Sequence, residues 1–473
     1  MAGLRDQIEA RFVNHALRTL SDYVKIECLS PAFDAAWQTH GAIDAAVDQL
    51  AAWARTIRLE GAQVSVSRID GVTPALVVEV PAFSGGQGRT LLYGHLDKQP
   101  PLGNWSEGLD PFTPVRRGDL LFGRGTADDG YSLFGSLLAL ESLQSAGIPH
   151  GSALVLIEAS EESGSPDLAA HLAALDAQLG EVDLVICLDS GALDYERLWV
   201  TTSLRGNLVV TLRVEVLEHG VHSGEASGVV PSSFRLLRQL LDRLEDSTTG
   251  ELRLSELHAQ VPEHLLAAAA NLASELGDPL AHHFPIVDGL ELMGRDGAER
   301  LINQSWAATL SVTGLDGAPV PAEAGNVLRS STTAKLSIRT PPSVDAGLAQ
   351  QAVVALLQEQ PPSGAQVHVE TEPSAQGWVA PKLAPWLDEA LNEASQESFG
   401  TTYGLLGEGG SIPFLADLTQ RFPEAQFVVT GVLGPGSNAH GPDEALHLPC
   451  AINVSSCVAQ AVAALSRAQT ASR

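Results

Sequence analysis

Histidine and carboxylate side chains recur at five places in this chain, each beside an apolar run or a turn. His95 and Asp97 close the string YGHLD, after the apolar run Leu91-Leu92-Tyr93-Gly94. GRGTADDG (123–130), EASEESGSPD (158–167), CLDSG (187–191) and NAHGPDE (438–444) follow. Imidazole nitrogens and carboxylate oxygens are the ligands of zinc-like ions, which take about four and leave one position for water. Two such ions ~3.5–4 Å apart, sharing a bridging group, can polarise a carbonyl and activate a water. His95, Asp128, Glu161, Glu162, Asp189 and His440 supply two imidazoles, a bridge, two further carboxylates and one carboxylate to spare as a general base.

Such residues need a scaffold that gathers them. Apolar runs at 75–80, 90–94, 152–158, 183–188 and 426–432 read as strands, and 3–23, 41–60, 131–146 and 166–179 carry helical periodicity. That alternation predicts a mostly parallel sheet with helices on both faces. In such sheets ligands bind beyond the carboxyl ends of the strands, where each of these strings falls. From Arg205 the pattern changes. Residues 208–216 alternate in period two, 232–245 and 344–359 read as helices, and 333–339 and 365–370 as strands. This predicts a smaller α+β domain inserted into the α/β one. Residues 246–305 are helical but hard to place, and 383–397 resume as a helix of the first domain.

Composition narrows the partners. A net charge of −29 over 473 residues argues against a nucleic-acid partner, since phosphate binding requires a basic face, and against an anionic membrane surface. No 18-residue apolar run stands out, and MAGLRDQIEARF is amphipathic, unlike a secretory leader. Four scattered cysteines in apolar surroundings read as reduced core residues of a cytoplasmic protein.

The five strings, in this order, resemble the co-catalytic dinuclear zinc peptidases related to carnosinase, aminoacylase-1, glutamate carboxypeptidase and succinyl-diaminopimelate desuccinylase. The resemblance runs over essentially the whole chain. It implies a catalytic domain from 1–205 and 376–473, with an inserted lid and dimerisation domain at 206–375. It also implies two divalent ions per subunit, zinc first, with manganese or cobalt as alternatives. His95 and Asp189 would hold one ion, Glu162 and His440 the other, and Asp128 would bridge, leaving Asp129 to face solvent or cap a helix. Glu161 would face the activated water. Asp97 is placed to accept a hydrogen bond from the free ring nitrogen of His95 and fix its tautomer.

The inserted domain carries further matches. His222 in VHSG corresponds to a histidine that reaches the partner subunit's site and stabilises an oxyanion. Arg339 corresponds to an arginine that binds the substrate carboxylate, and Asn326 to an asparagine that contacts substrate. In GEGGSIPF (407–414), Gly409, Gly410 and Ser411 would form an anion-binding nest. Many relatives carry arginine where this chain has Gly407. KQP (98–100) and Gly130 also depart from the family pattern, and all three are expected on the pocket rim rather than on a metal ligand.

The implied activity is hydrolysis of dipeptides or short peptides, dipeptidase- or carboxypeptidase-like, by a metal-bridging hydroxide with Glu161 as general base, in a homodimer. An N-acyl-amino-acid deacylase with the same site is the alternative, and a non-catalytic metal-binding relative the third reading. A small peptide or N-acyl amino acid is the expected partner.

Overall fold

A computed structural model describes residues 3–281, 283–284, 286–412 and 414–471. They divide into two compact units: Met1–Thr202 with Ala380–Leu406 and Asp417–Arg473, and Ser203–Val379 with Gly407–Ala416.

The first unit is built on a six-stranded sheet. Its order is Gln63–Ser67, Ala75–Val80, Ser152–Glu158, Arg89–His95, Leu184–Cys187, Gln426–Val429. The last four strands run parallel, and the first two pair antiparallel at one edge. The register matters for chemistry. His95 pairs with Glu158, and Tyr93 with Cys187, so three parallel strands end at one level and release YGHLD, EASEE and CLDSG side by side. The strands are nearly continuous apolar runs because both faces are covered. The Ser132–Ser145 and Leu448–Ala471 helices supply much of that cover. The second of these is long and apolar enough to cross a membrane, a feature the sequence reading passed over. Its most apolar window is 89% buried, which marks it as a core helix. Cys450 and Cys457 lie on it, and all four cysteines are buried and unpaired.

The second unit is α+β. An antiparallel sheet runs Thr309–Asp316, Ser331–Thr340, Gly206–Glu215, Gln366–Thr371. Leu208, Val210, Leu212 and Val214 point every second residue into a core shared with the Ser233–Leu244 and Ala346–Gln358 helices. Asp345 starts the latter helix by accepting the Leu348 N–H at 2.8 Å. The stretch 246–305 resolves into the Glu263–Leu276 and Gly297–Trp306 helices. The Thr309–Asp316 strand was not legible, because a register shift between Val312 and Gly314 breaks its alternation and Val312 and Leu315 face outward.

Candidate active site

Asp128 stands at the centre of the first unit's strand-end loops. Its Oδ1 lies 3.1 Å from His95 Nε2, and its Oδ2 lies 3.0 Å from His440 Nε2. Asp189 Oδ2 sits 3.8 Å from His95 Nε2, and Glu162 Oε2 sits 3.1 Å from His440 Nε2. Two donor triads result, His95–Asp128–Asp189 and Asp128–Glu162–His440, with Asp128 common to both. Glu161 Oε2 comes within 4.0 Å of His95 Nε2 without joining either triad.

The electrostatics suit bound cations. Asp128, Asp129, Glu161, Glu162 and Asp189 are gathered around two imidazoles, His95 and His440, among the described residues. Burial first, and neighbouring carboxylates second, push Glu161, Glu162 and Asp189 up, Asp189 to about 7. Burial opposes the charge on His440, but Asp128 and Glu162 hold its pKa up at about 11. Two divalent ions would neutralise the excess and displace those protons. The donors, imidazole nitrogen and carboxylate oxygen in sets of three, are chemically those of zinc, manganese or cobalt.

Surrounding residues hold this geometry. His95 Nδ1 meets the Asp97 carbonyl at 3.1 Å, whereas the Asp97 carboxylate is farther, at 3.5 Å. The expected carboxylate contact is therefore secondary. The Asp97 carboxylate instead accepts the backbone N–H groups of Glu161 and Glu162, at 3.1 and 3.0 Å. Asp129 is fully buried rather than solvent-facing. Its Oδ2 accepts the His95 N–H at 3.2 Å, while Oδ1 has no hydrogen-bond partner among the described residues. Gly130 is required sterically, since a Cβ there would lie 2.2 Å from the Gly125 carbonyl oxygen and 2.5 Å from the Tyr23 ring. His440 itself sits at φ 64°, a left-handed conformation costly for a side-chain-bearing residue and often kept at functional positions.

Several contributors escaped the sequence reading. Gln99 donates from Nε2 to Glu162 Oε2 at 2.8 Å, so the KQP departure does touch a candidate ligand. Lys98 is not on a rim. It is buried, and its ammonium donates to the carbonyls of Tyr23, Val24 and Ile26 at 2.8–3.1 Å. Glu444 is buried at the heart of the GRGTAD turn. It takes Arg124 Nη1 at 2.7 Å and the N–H groups of Gly125, Ala127 and Asp128 at 3.0–3.3 Å. It thus ties the loop of His440 to the loop of Asp128. Glu158 accepts the Tyr93, Ser165 and Ser160 hydroxyls at 2.5, 2.8 and 2.9 Å, which fixes the loop carrying Glu161 and Glu162.

In the second unit, His222 is exposed at the end of the Val221–His222 strand. Its Nδ1 accepts the Gly224 N–H at 3.2 Å, so the neutral ring carries its proton on Nε2. The Asn326 carbonyl accepts the Ser223 N–H at 2.9 Å, placing Asn326 close to His222 in the chain's fold. Arg339 Nη1 donates to Ser411 Oγ at 2.8 Å, Ser411 donates to the Arg205 carbonyl at 2.6 Å, and Arg205 Nε reaches the Gly409 carbonyl at 3.3 Å. Gly410 has open space around it.

Residues 91–464 match the family described as Peptidase family M20/M25/M40. The chain belongs to this family. The peptidase is 27% identical over 407 residues to the cysteinylglycine-S-conjugate dipeptidase of Corynebacterium striatum, covering 84% of this chain and 86% of that protein. It is 25% identical over 404 residues to the Cys-Gly metallodipeptidase dug1 of Schizosaccharomyces pombe, covering 83% of each. Human carnosine dipeptidase 1 shares its fold, with TM-score 0.76 and 20% identity over 99% of both chains. The di-peptidase Dug1p of Saccharomyces cerevisiae does so at TM-score 0.76 and 19% identity over 98% of both. The peptidase is a metal-dependent peptide hydrolase, and its two donor triads are candidate metal-ligand groups.

Proposed function

We propose that the peptidase is a dipeptidase with two divalent ions, zinc first, held by His95, Asp128 and Asp189 and by Asp128, Glu162 and His440. The observation that carries this reading is the pair of Asp128 oxygens, each facing a different histidine at about the same distance. Two relatives that match most of the chain bear dipeptidase names, which favours dipeptides over N-acyl amino acids.

Bound ions would supply Lewis-acid polarisation of the scissile carbonyl and a more acidic water. The chain's residues do the rest. Glu161 takes the proton of the attacking water and returns it to the leaving amine, a role suited to a buried carboxylate. Asp97 positions Glu161 and Glu162 through their N–H groups. His222, with its proton on Nε2, offers a donor for the developing oxyanion, Asn326 touches substrate beside it, and Arg339 with Gly409, Gly410 and Ser411 receives the carboxylate. Residues 206–375 would serve as lid and dimerisation domain on segments 1–205 and 376–473, in a cytoplasmic homodimer.

The test is a hydrolysis panel read by mass spectrometry, with zinc, manganese or cobalt supplied. Dipeptides should turn over and N-acetyl amino acids should not. Glu161→Gln should keep its metal and lose on the order of 10²-fold or more in turnover. Preferential cleavage of N-acetyl amino acids would replace this reading by a deacylase.

A further inference from the structure

Arg205 and Arg339 form a cationic pair with no counter-ion among the described residues. Among the described residues Arg205 donates only to neutral oxygens: the Gly409 carbonyl at 3.3 Å, and the Ala307 carbonyl and Thr309 hydroxyl, both at 3.1 Å. Arg339 donates to Ser411 Oγ. The two guanidinium-bearing residues share a frame. Thr309 is the strand partner of Arg339 and the hydroxyl acceptor of Arg205, and Ser411 bonds to both residues. Among the described residues no carboxylate stands within ion-pair reach of either one. Acids are not scarce, since the chain has 57 acidic residues against 28 basic ones.

Holding two like charges together at half-buried positions is costly without a counter-ion. Burial, then the charge of Arg339, pulls Arg205 down to about 10, and burial lowers Arg339 too. Donors remain to spend. Nη2 of Arg205, and Nε and Nη2 of Arg339, have no acceptor among the described residues. The loop beside them admits no competing side chain at Gly407, where a Cβ would lie 2.7–2.9 Å from Ser203 and Ser305. At Gly410 the space is open.

We propose that Arg205 and Arg339, with Ser411, form a pocket for two carboxylates, so that the preferred substrates are peptides ending in aspartate or glutamate. The proposal rests on the peptidase reading above. The α-carboxylate balances one guanidinium and the side-chain carboxylate the other. Arg forks match carboxylates in both hydrogen bonding and charge. The amide isostere leaves one cation unbalanced, which is how a site of this kind discriminates.

Two measurements on the metal-loaded enzyme decide it. The first compares kcat/KM for Ala-Glu, Ala-Gln and Ala-Gly in the wild type and in Arg205→Met. The expected result is a preference for Ala-Glu over Ala-Gln of about tenfold or more, falling to about twofold in Arg205→Met. Equal kcat/KM for Ala-Glu and Ala-Gln in the wild type overturns the proposal, and needs no variant to fold. The second is calorimetric titration with glutarate and with butyrate. Glutarate should bind about tenfold more tightly, and Arg205→Met should erase the difference. Equal affinities overturn the dicarboxylate pocket. Failure to cleave any dipeptide, with the glutarate preference intact, overturns the peptidase reading and supports the anion site.

Discussion

The Asp97 carboxylate accepts the backbone N–H of Glu161 at 3.1 Å, and its second oxygen accepts that of Glu162 at 3.0 Å. One acidic side chain after the Arg89–His95 strand therefore fixes the two glutamates after the Ser152–Glu158 strand. Asp97→Asn puts an amide N–H against a backbone N–H. It should lower kcat by roughly 10–100-fold while most metal is retained. Steady-state kinetics with elemental analysis would check this. Unchanged kcat would leave Asp97 no positioning role.

Glu158 predicts a pH dependence of stability. Burial raises its pKa from 4.5 to about 7, against the lowering effect of hydrogen bonds from Tyr93, Ser165 and Ser160. Unfolded, the group ionises near its ordinary value. Between the two values the unfolded chain has released a proton that the folded one retains, so stability falls as pH rises through this window. Below it the penalty is absent, and above it complete. Metal-free wild type should lose up to ~3 kcal/mol relative to Glu158→Gln between about pH 4.5 and 7. Denaturant unfolding at several pH values measures the difference. A gap that does not change with pH would mean that Glu158 is already ionised throughout.

The proposed homodimer yields a mixing experiment. If His222 serves the partner subunit's site, an inactive Glu161→Gln chain and an inactive His222→Ala chain complement each other. Random pairing makes half the dimers mixed, each with one intact site in two, so roughly a quarter of wild-type activity should return. Co-expression with differently tagged chains verifies the heterodimer. No recovery in verified heterodimers would assign His222 to its own chain.

The two donor triads were legible because their residues sit at strand ends, and the strands are plain apolar runs: His95 closes Arg89–His95, and Asp189 follows Leu184–Cys187. What the sequence hid depends on distant segments meeting. Glu444 reaches the N–H groups of Gly125, Ala127 and Asp128 across more than 300 residues, and nothing local to NAHGPDE announces it. Lys98 looks like a rim charge because lysine is seldom buried. Its burial depends on three carbonyls at 23–26 lying under the HLD turn. Arg205 marks no more than a change of pattern in the sequence until the Gly409 carbonyl and Thr309 hydroxyl are seen to hold it. Asp129 was expected to face solvent or cap a helix, yet it lies buried with its carboxylate against the His95 N–H.

Bridging by Asp128 is the central claim, and metal titration of the stripped enzyme tests it most directly. Dipeptidase activity should rise to a plateau at about two equivalents of zinc, manganese or cobalt per chain. Asp128→Ala should lose affinity for both ions together, because each triad loses a ligand. Full activity at one equivalent, or an Asp128→Ala chain that still binds two ions with wild-type affinity, would contradict the account.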